Sequence, residues 1–479
     1  MIMNDTSNKA NDYSIYIALI PILFLVLLLT FNVIFFFDNT LSGPNQIALI
    51  LTAILTVKLA LRRNKSWSEL INGILKRVQS SLKPISILIM IGALAGTWMI
   101  SGIIPLIIYY GIAIINPSVF LLTSVVVCAM VSLATGSSWS TVATVGIALN
   151  GIGHVMEIHP GLTAGAIISG AYFGDKISPL SDTTNLASAM TETNIFTHIK
   201  YMMYTTVPAL TITLLLFMFI GITFDAKDIS AEISVLQLNL SEHFNLSPYL
   251  LIVPTVLIIL IISKVDPLPA LMAGVFLGAV FAFFFQKDLL HNLYQNKPVL
   301  TVLRSVFIDV SIETQNETMD NLLVSSGMLG MLKTVLLILS AMIFSGAMEA
   351  AGFLERIAMS LIKLAKSTGS VVTTTVATSI FFNLTASDQY LAIVVPGRMY
   401  ADVYKKMNLK SEVLSRALED AGTQTSVLVP WNTCGATQSS ILGVSVFTYM
   451  PYCFFNILSP LFSVLWAYLN IKIRRINKE

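Results

Sequence analysis

Between two long apolar runs lies Gly170-Ala-Tyr-Phe-Gly-Asp-Lys-Ile-Ser-Pro-Leu-Ser-Asp-Thr-Thr-Asn185, which sets two aspartates, a lysine and a proline where hydrocarbon is expected. Carboxylates and unpaired backbone groups persist at that depth only if they face protein, water or an ion. The stretch therefore rules out a plain bundle of lipid-packed helices and demands a polar interior. The rest of the chain suits that setting, because 55% of its 479 residues are hydrophobic and 11% are charged, against about 25% charged in soluble proteins. The fold class is an all-α polytopic membrane protein.

A membrane crossing takes about 20 apolar residues. Residues 15–37 and 45–61 qualify, the first as an uncleaved helix, and 62–83 has apolar residues at helical spacing among basic ones, as an interfacial helix does. A long apolar segment runs from 85 to about 115. Residues 118–154 read as a re-entrant hairpin with Thr135-Gly-Ser-Ser-Trp-Ser-Thr141 at its tip, 160–190 as a crossing broken by the opening stretch, and 195–224 as a plain span. A polar segment, 225–247, is expected to be an extracellular linker. The order then recurs: spans near 248–263 and 267–285, a connection over 286–325, a long apolar segment 328–365, a hairpin about 371–401, a broken crossing about 413–445 and a last span 447–470.

Local sequence recurs as well. Gly96, Thr135, Pro179 and the pair Phe196-Thr197 meet Gly346, Thr385, Pro430 and Phe447-Thr448 in the same order. This predicts a first repeat over 1–224 and a second over 248–479, each with five crossings and one hairpin, and an odd number of crossings makes the repeats inverted. Lys and Arg cluster on one side of this topology, with Lys478 among them and Lys227 on the poorer side, so both termini are expected in the cytoplasm. Inverted repeats with matching breaks at the midplane are the architecture of a secondary transporter.

The first break offers Asp175, Ser178, Ser181, Asp182, Thr183, Thr184 and Asn185, almost all hard oxygen ligands. Such a set suits Na⁺, and a carboxylate at that depth can take a proton instead, so two ions competing for one group would produce cation/proton exchange. Asp175 can equally pair with the adjacent Lys176. The hairpin tips add Thr135, Ser137 and Ser138 in the first half and Asn383, Thr385, Ser387 and Asp388 in the second. Single serines there also serve close helix packing. The second break mirrors the first through Asn432 and Thr433 but lacks its acid. Proton carriers are sought among Asp182, Asp388 and Asp420, while Glu419 or Asp420 can instead pair with Arg416, and Arg398 with Asp402 one helical turn on. Cys128, Cys434 and Cys453 stand alone in apolar segments, and no nucleotide-binding, hydrolase or zinc-ligand motif is present. The expectation is a transporter and not an enzyme, with no cofactor and no nucleic-acid partner.

The runs Gly165–Leu186, Asn383–Gln389, Ser415–Gly422 and Val429–Gly435 resemble the NhaC family of bacterial Na⁺/H⁺ antiporters, within the ion transporter superfamily. The resemblance covers about residues 85–460. It implies a scaffold domain, a transport domain of hairpins and broken helices, a homodimer, elevator-like movement in the bacterial cytoplasmic membrane, and Na⁺ at Ser178, Ser181, Asp182 and Thr183 near the hairpin tips. Ser140 stands where a glycine is expected in such relatives, which stiffens the tip. The family also includes exchangers of malate against lactate, so the alternative is Na⁺- or H⁺-linked exchange of a small organic anion or an amino acid. Neither break holds an arginine to clamp a carboxylate, which favours the cation.

Overall fold

The computed structural model describes residues 14–36, 43–114, 116–223, 230–294, 297–312, 320 and 323–476; the expectations for Lys227 and Lys478 lie outside them. Among these residues seven helices are long and apolar enough to cross a membrane, and two further bent pairs make nine candidates. The protein is a multi-pass membrane protein. Proline opens many of its helices: Pro44, Pro117, Pro160, Pro267 and Pro298 each occupy a first turn, where their fixed φ is helical and the missing N–H costs nothing.

The helices recur at a fixed spacing. Those that begin at Pro117, Pro160, Asp182 and Ile195 have counterparts at Thr368, Ser411, Thr433 and Val446, each 251 residues later. Left-handed positions recur as well. Gly102 (φ 79°) and Gly352 (φ 78°) both end a long helix, and Gly136 (φ 68°) and Ser387 (φ 57°) both turn a hairpin. On this spacing Ile15–Phe36 aligns with Pro267–Phe285, and Ser230–His243 with Pro248–Ile262 stands between the halves without a counterpart. Composition alone had counted 248–263 as the first crossing of the second half.

The halves are intertwined. Leu82–Ile100 lies against Pro267–Phe285, Pro298–Phe307 and Gly327–Gly330, while Leu332–Ala350 lies against Pro44–Leu61 and Trp67–Ser80. The interfacial helix Trp67–Ser80 starts on a capping box, with Ser66 and Glu69 exchanging bonds of 3.1 and 3.3 Å. Its Gly73 and the Gly346 it meets permit close approach, since a Cβ on Gly346 would lie 2.7 Å from the Ile74 Cα. The connection 286–325 contains two short helices, Lys287–Leu293 and Pro298–Phe307, and a two-stranded pairing of Val310–Ser311 with Val324–Ser325.

The outbound arm of the first hairpin, Pro117–Thr135, is 19 residues long and by itself passes as a crossing, although composition read the arms as too short. Gly136 turns it back into a return arm made of Ser138–Thr141, a π-turn Val142–Gly146 and Ile147–Val155. The outbound arm packs along Pro160–Ile177 with almost no gap between backbones. A Cβ on Gly174 would lie 2.6 Å from the Leu133 nitrogen and 2.7 Å from the Ser132 Cβ. Gly174→Leu is therefore expected to lower stability by about 1–3 kcal/mol, the usual cost of overpacking, seen as a lower melting temperature in detergent. Gly352→Ala, with open space around it, should cost only the left-handed backbone penalty of about 1 kcal/mol. Equal, small effects would show that this helix contact is not tight.

Candidate functional site

The first break is a short unwound segment between two helices. Pro160–Ile177 ends as Ser178 turns extended, Pro179 prevents continuation, and Asp182–Met190 restarts with Ser181 as its cap. The polar side chains here first satisfy backbone. Thr184 donates to the Lys176 carbonyl at 2.9 Å, Asn185 to the Pro179 and Ser181 carbonyls at 2.9 and 2.6 Å, and Ser178 to the Leu133 carbonyl at 2.9 Å. That last bond docks the break on the first hairpin. The tip is fastened a second time by Ser138, whose N–H and hydroxyl both donate to one oxygen of Asp175, at 3.1 and 2.7 Å. Ser137 caps the return arm, and Thr135 lies 3.4 Å from Thr141.

The second half repeats the plan with different chemistry. Asp388 caps the return arm Gln389–Lys406 by accepting from the Leu391 N–H at 3.0 Å, and it lies 3.8 Å from the Arg77 guanidinium. It is thus a structural cap with a cation beside it. Asn432 caps Thr433–Leu442 and donates to the carbonyl and side-chain oxygens of Asn383 at 3.2 and 3.1 Å. Asn383 in turn donates to the Gly422 carbonyl at 2.8 Å. The Thr433 N–H donates to the Ser387 carbonyl at 3.0 Å, and Trp431 donates to the Leu384 carbonyl at 2.7 Å. Thr385 is spent on its own helix, through the Phe381 carbonyl at 2.7 Å. Each hairpin tip therefore docks on the break of its own half, the first through a carboxylate and the second through amides.

The two breaks also touch each other. Thr183 donates to Glu419 at 3.2 Å, and the Tyr390 hydroxyl of the second hairpin donates to Asp182. Behind them Lys176 pairs with Asp420, both side chains wholly buried, and Ser459 accepts from Lys176 at 2.6 Å. Ser459 and Thr205 donate to Asp420 at 3.0 and 3.2 Å. Lys176 thus pairs across the halves and not with its neighbour Asp175, and Asp420 pairs with Lys176 and not with Arg416. Arg416 is fully buried and stacks 4.6 Å from the Tyr201 ring centre. Arg398 and Asp402 form no ion pair among the described residues.

Asp175, Glu419 and Asp420 are all buried, with Lys176 the one ammonium among them. One oxygen of each carboxylate accepts no hydrogen bond: Asp175 Oδ1, Glu419 Oε2 and Asp420 Oδ2. The cluster is short of positive charge, so it invites cations or protons. Asp182, by contrast, is exposed at the mouth of the site. Sequence reasoning named Glu419 and Lys176 but gave them other partners, Arg416 and Asp175. Lys176 stood beside Asp175 and read as its partner, and nothing local points it at a residue 244 positions away.

Residues 170–471 match the Na⁺/H⁺ antiporter family. The Na(+)/H(+) antiporter NhaC of Alkalihalophilus pseudofirmus is 36% identical over 407 residues, 85% of this chain and 86% of that protein. The NhaC antiporter of Bacillus subtilis is 36% identical over 88% of this chain and 92% of its own length. The malate-2H(+)/Na(+)-lactate antiporter of the same organism is 35% identical over 447 residues, 93% of this chain and 92% of that protein.

The Lys176–Asp420 pair makes a direct prediction. Lys176→Met leaves a buried carboxylate unpaired and should cost about 3–5 kcal/mol of stability, whereas the double change Lys176→Met with Asp420→Leu should recover most of it. Unfolding in detergent measures both. A single variant as stable as the parent would show that Asp420 is not ionised when paired.

Proposed function

We propose, from the fact that the chain belongs to the NhaC family of Na⁺/H⁺ antiporters, that it exchanges Na⁺ for H⁺ across the bacterial cytoplasmic membrane by alternating access. The observation that carries this reading is the charge balance at the meeting of the two breaks, where three buried carboxylates face one lysine. A bound cation or bound protons relieve that imbalance equally well, and one site that accepts either, but not both, is an exchanger. Na⁺ enters beside Asp182 and first meets the oxygens of Ser178, Ser181, Asp182 and Thr183, close to the first hairpin tip. Of the proton-carrier candidates, Asp388 is engaged as a cap near Arg77, and Asp420 is engaged by Lys176. Asp182 has a single side-chain partner from outside its helix, Tyr390, and is the one reached from solvent.

The recurrence of helices at one spacing supports two repeats of inverted orientation, with the hairpins and broken helices moving together, elevator-like, against the long helices 82–100 and 332–350. Both termini then lie in the cytoplasm, and the protein works as a homodimer. A second reading, exchange of small organic anions such as malate and lactate, is favoured by the 35% identity to the malate-2H(+)/Na(+)-lactate antiporter. Both breaks lack an arginine, and this weighs toward the cation.

Purified protein in proteoliposomes with an internal pH dye separates the two. Na⁺ alone should collapse an imposed pH gradient, and malate or lactate without Na⁺ should not; a response to the organic anions only would replace the first reading by the second. Asp182→Asn should abolish Na⁺-driven proton flux while the protein remains folded, because the side chain is exposed and its bond from Tyr390 survives the change. Flux near that of the parent would remove Asp182 from the ion path.

A further inference from the structure

Resting on the exchange reading above, we propose that Glu419, together with Asp175, holds the transported monovalent cation in a cage completed by the hydroxyls of Ser181, Thr183 and Thr423. Glu419 comes from the second broken helix and Asp175 from the first, so the cation bridges the two halves of the chain.

Glu419 is 0% exposed and Asp175 5% exposed. Each carboxylate is half satisfied. Asp175 Oδ2 accepts both bonds from Ser138, and Oδ1 accepts none. Glu419 Oε1 accepts from Thr183 at 3.2 Å, and Oε2 accepts none. The two groups are near enough to repel each other, and the Ser181 hydroxyl lies alongside Asp175 and 3.1 Å from that of Thr183. The Thr423 hydroxyl, fully buried, lies against the Glu419 carboxylate and makes no bond of good geometry to any other group.

Lys176 offsets only part of this charge, because its ammonium is hydrogen-bonded to Asp420 and Ser459 and leaves the three carboxylates in excess. Two like charges facing one another in a buried site, with free lone pairs, are costly unless a positive charge lies between them. The donors are carboxylate and hydroxyl oxygens, the set that hard cations prefer. The backbone supports the division of labour: residues Glu419–Thr423 form a π-turn, a feature common at functional positions. Consecutive acids thereby face different partners, Glu419 toward Thr183 and Asp420 toward Lys176. The exposed Asp182 is then the entry group, and the cage lies deeper.

The test measures Na⁺ binding to the purified full-length protein by calorimetry, with choline as the ionic-strength control. Glu419→Gln should weaken Na⁺ binding by at least about tenfold, roughly 1.4 kcal/mol. Thr423→Val, nearly the same shape, should weaken it severalfold at an unchanged folded yield. Glu419→Asp should restore part of the affinity lost in the glutamine variant. Parent-like Na⁺ affinity in Glu419→Gln overturns the assignment, as does a parent protein that binds no Na⁺. If Glu419→Gln does not fold, Thr423→Val decides, and parent-like affinity there also overturns it. Proton flux of the parent in liposomes reports on the exchange reading separately: Glu419-dependent binding without exchange keeps the cage and removes the antiport.

Discussion

A buried carboxylate is expensive in a membrane, and this chain buries Asp175, Glu419 and Asp420 around a single lysine, with one oxygen of each left without a hydrogen bond. The rest of the structure is arranged to tolerate that excess. Both helices that carry the charges are interrupted by proline, and the freed backbone groups are taken up by Thr184, Asn185 and Asn432 rather than left open. Each hairpin tip fastens to the break of its own half. Lys176–Asp420 then locks the two breaks together from behind, with Ser459 and Thr205 donating to the same Asp420 oxygen.

The two halves share spacing but not chemistry, and this division has a mechanical meaning. In the second half, tip and break are joined by neutral amide bonds, through Asn383, Asn432 and Gly422, which a change in bound ion does not alter. In the first half, tip and break are joined by Ser138 donating to Asp175, a bond whose strength follows the charge of the carboxylate. On the proposed reading, occupancy of the site by Na⁺ or by a proton is felt directly by the first hairpin. On the same reading the second hairpin feels it through Tyr390 on Asp182, and the second break through Thr183 on Glu419. A site that couples its own occupancy to the docking of a hairpin has the element that alternating access requires.

Much of this plan was legible in the residues. The breaks and tips announced themselves through proline, glycine and hydroxyl residues within apolar runs, because those residues act on the backbone locally. A repeat was expected from ordered coincidences of short motifs, and the helices that begin at Pro117, Pro160, Asp182 and Ile195 have counterparts 251 residues later. What stayed hidden depends on three-dimensional pairing. Lys176 meets Asp420 across the halves, Asp388 is occupied as a cap beside Arg77, and Glu419 turns inward on a π-turn, none of which leaves a local pattern. Arg416 is buried against an aromatic ring and forms no ion pair among the described residues, although its helix carries acids on either side.

The central claim is that Na⁺ and protons compete for one charge-deficient site. It is tested most directly by adding Na⁺ to concentrated purified protein in weakly buffered solution and recording the pH. If the account is right, protons appear as Na⁺ binds, in proportion to the Na⁺ taken up and not with choline. Na⁺ binding without proton release would contradict it.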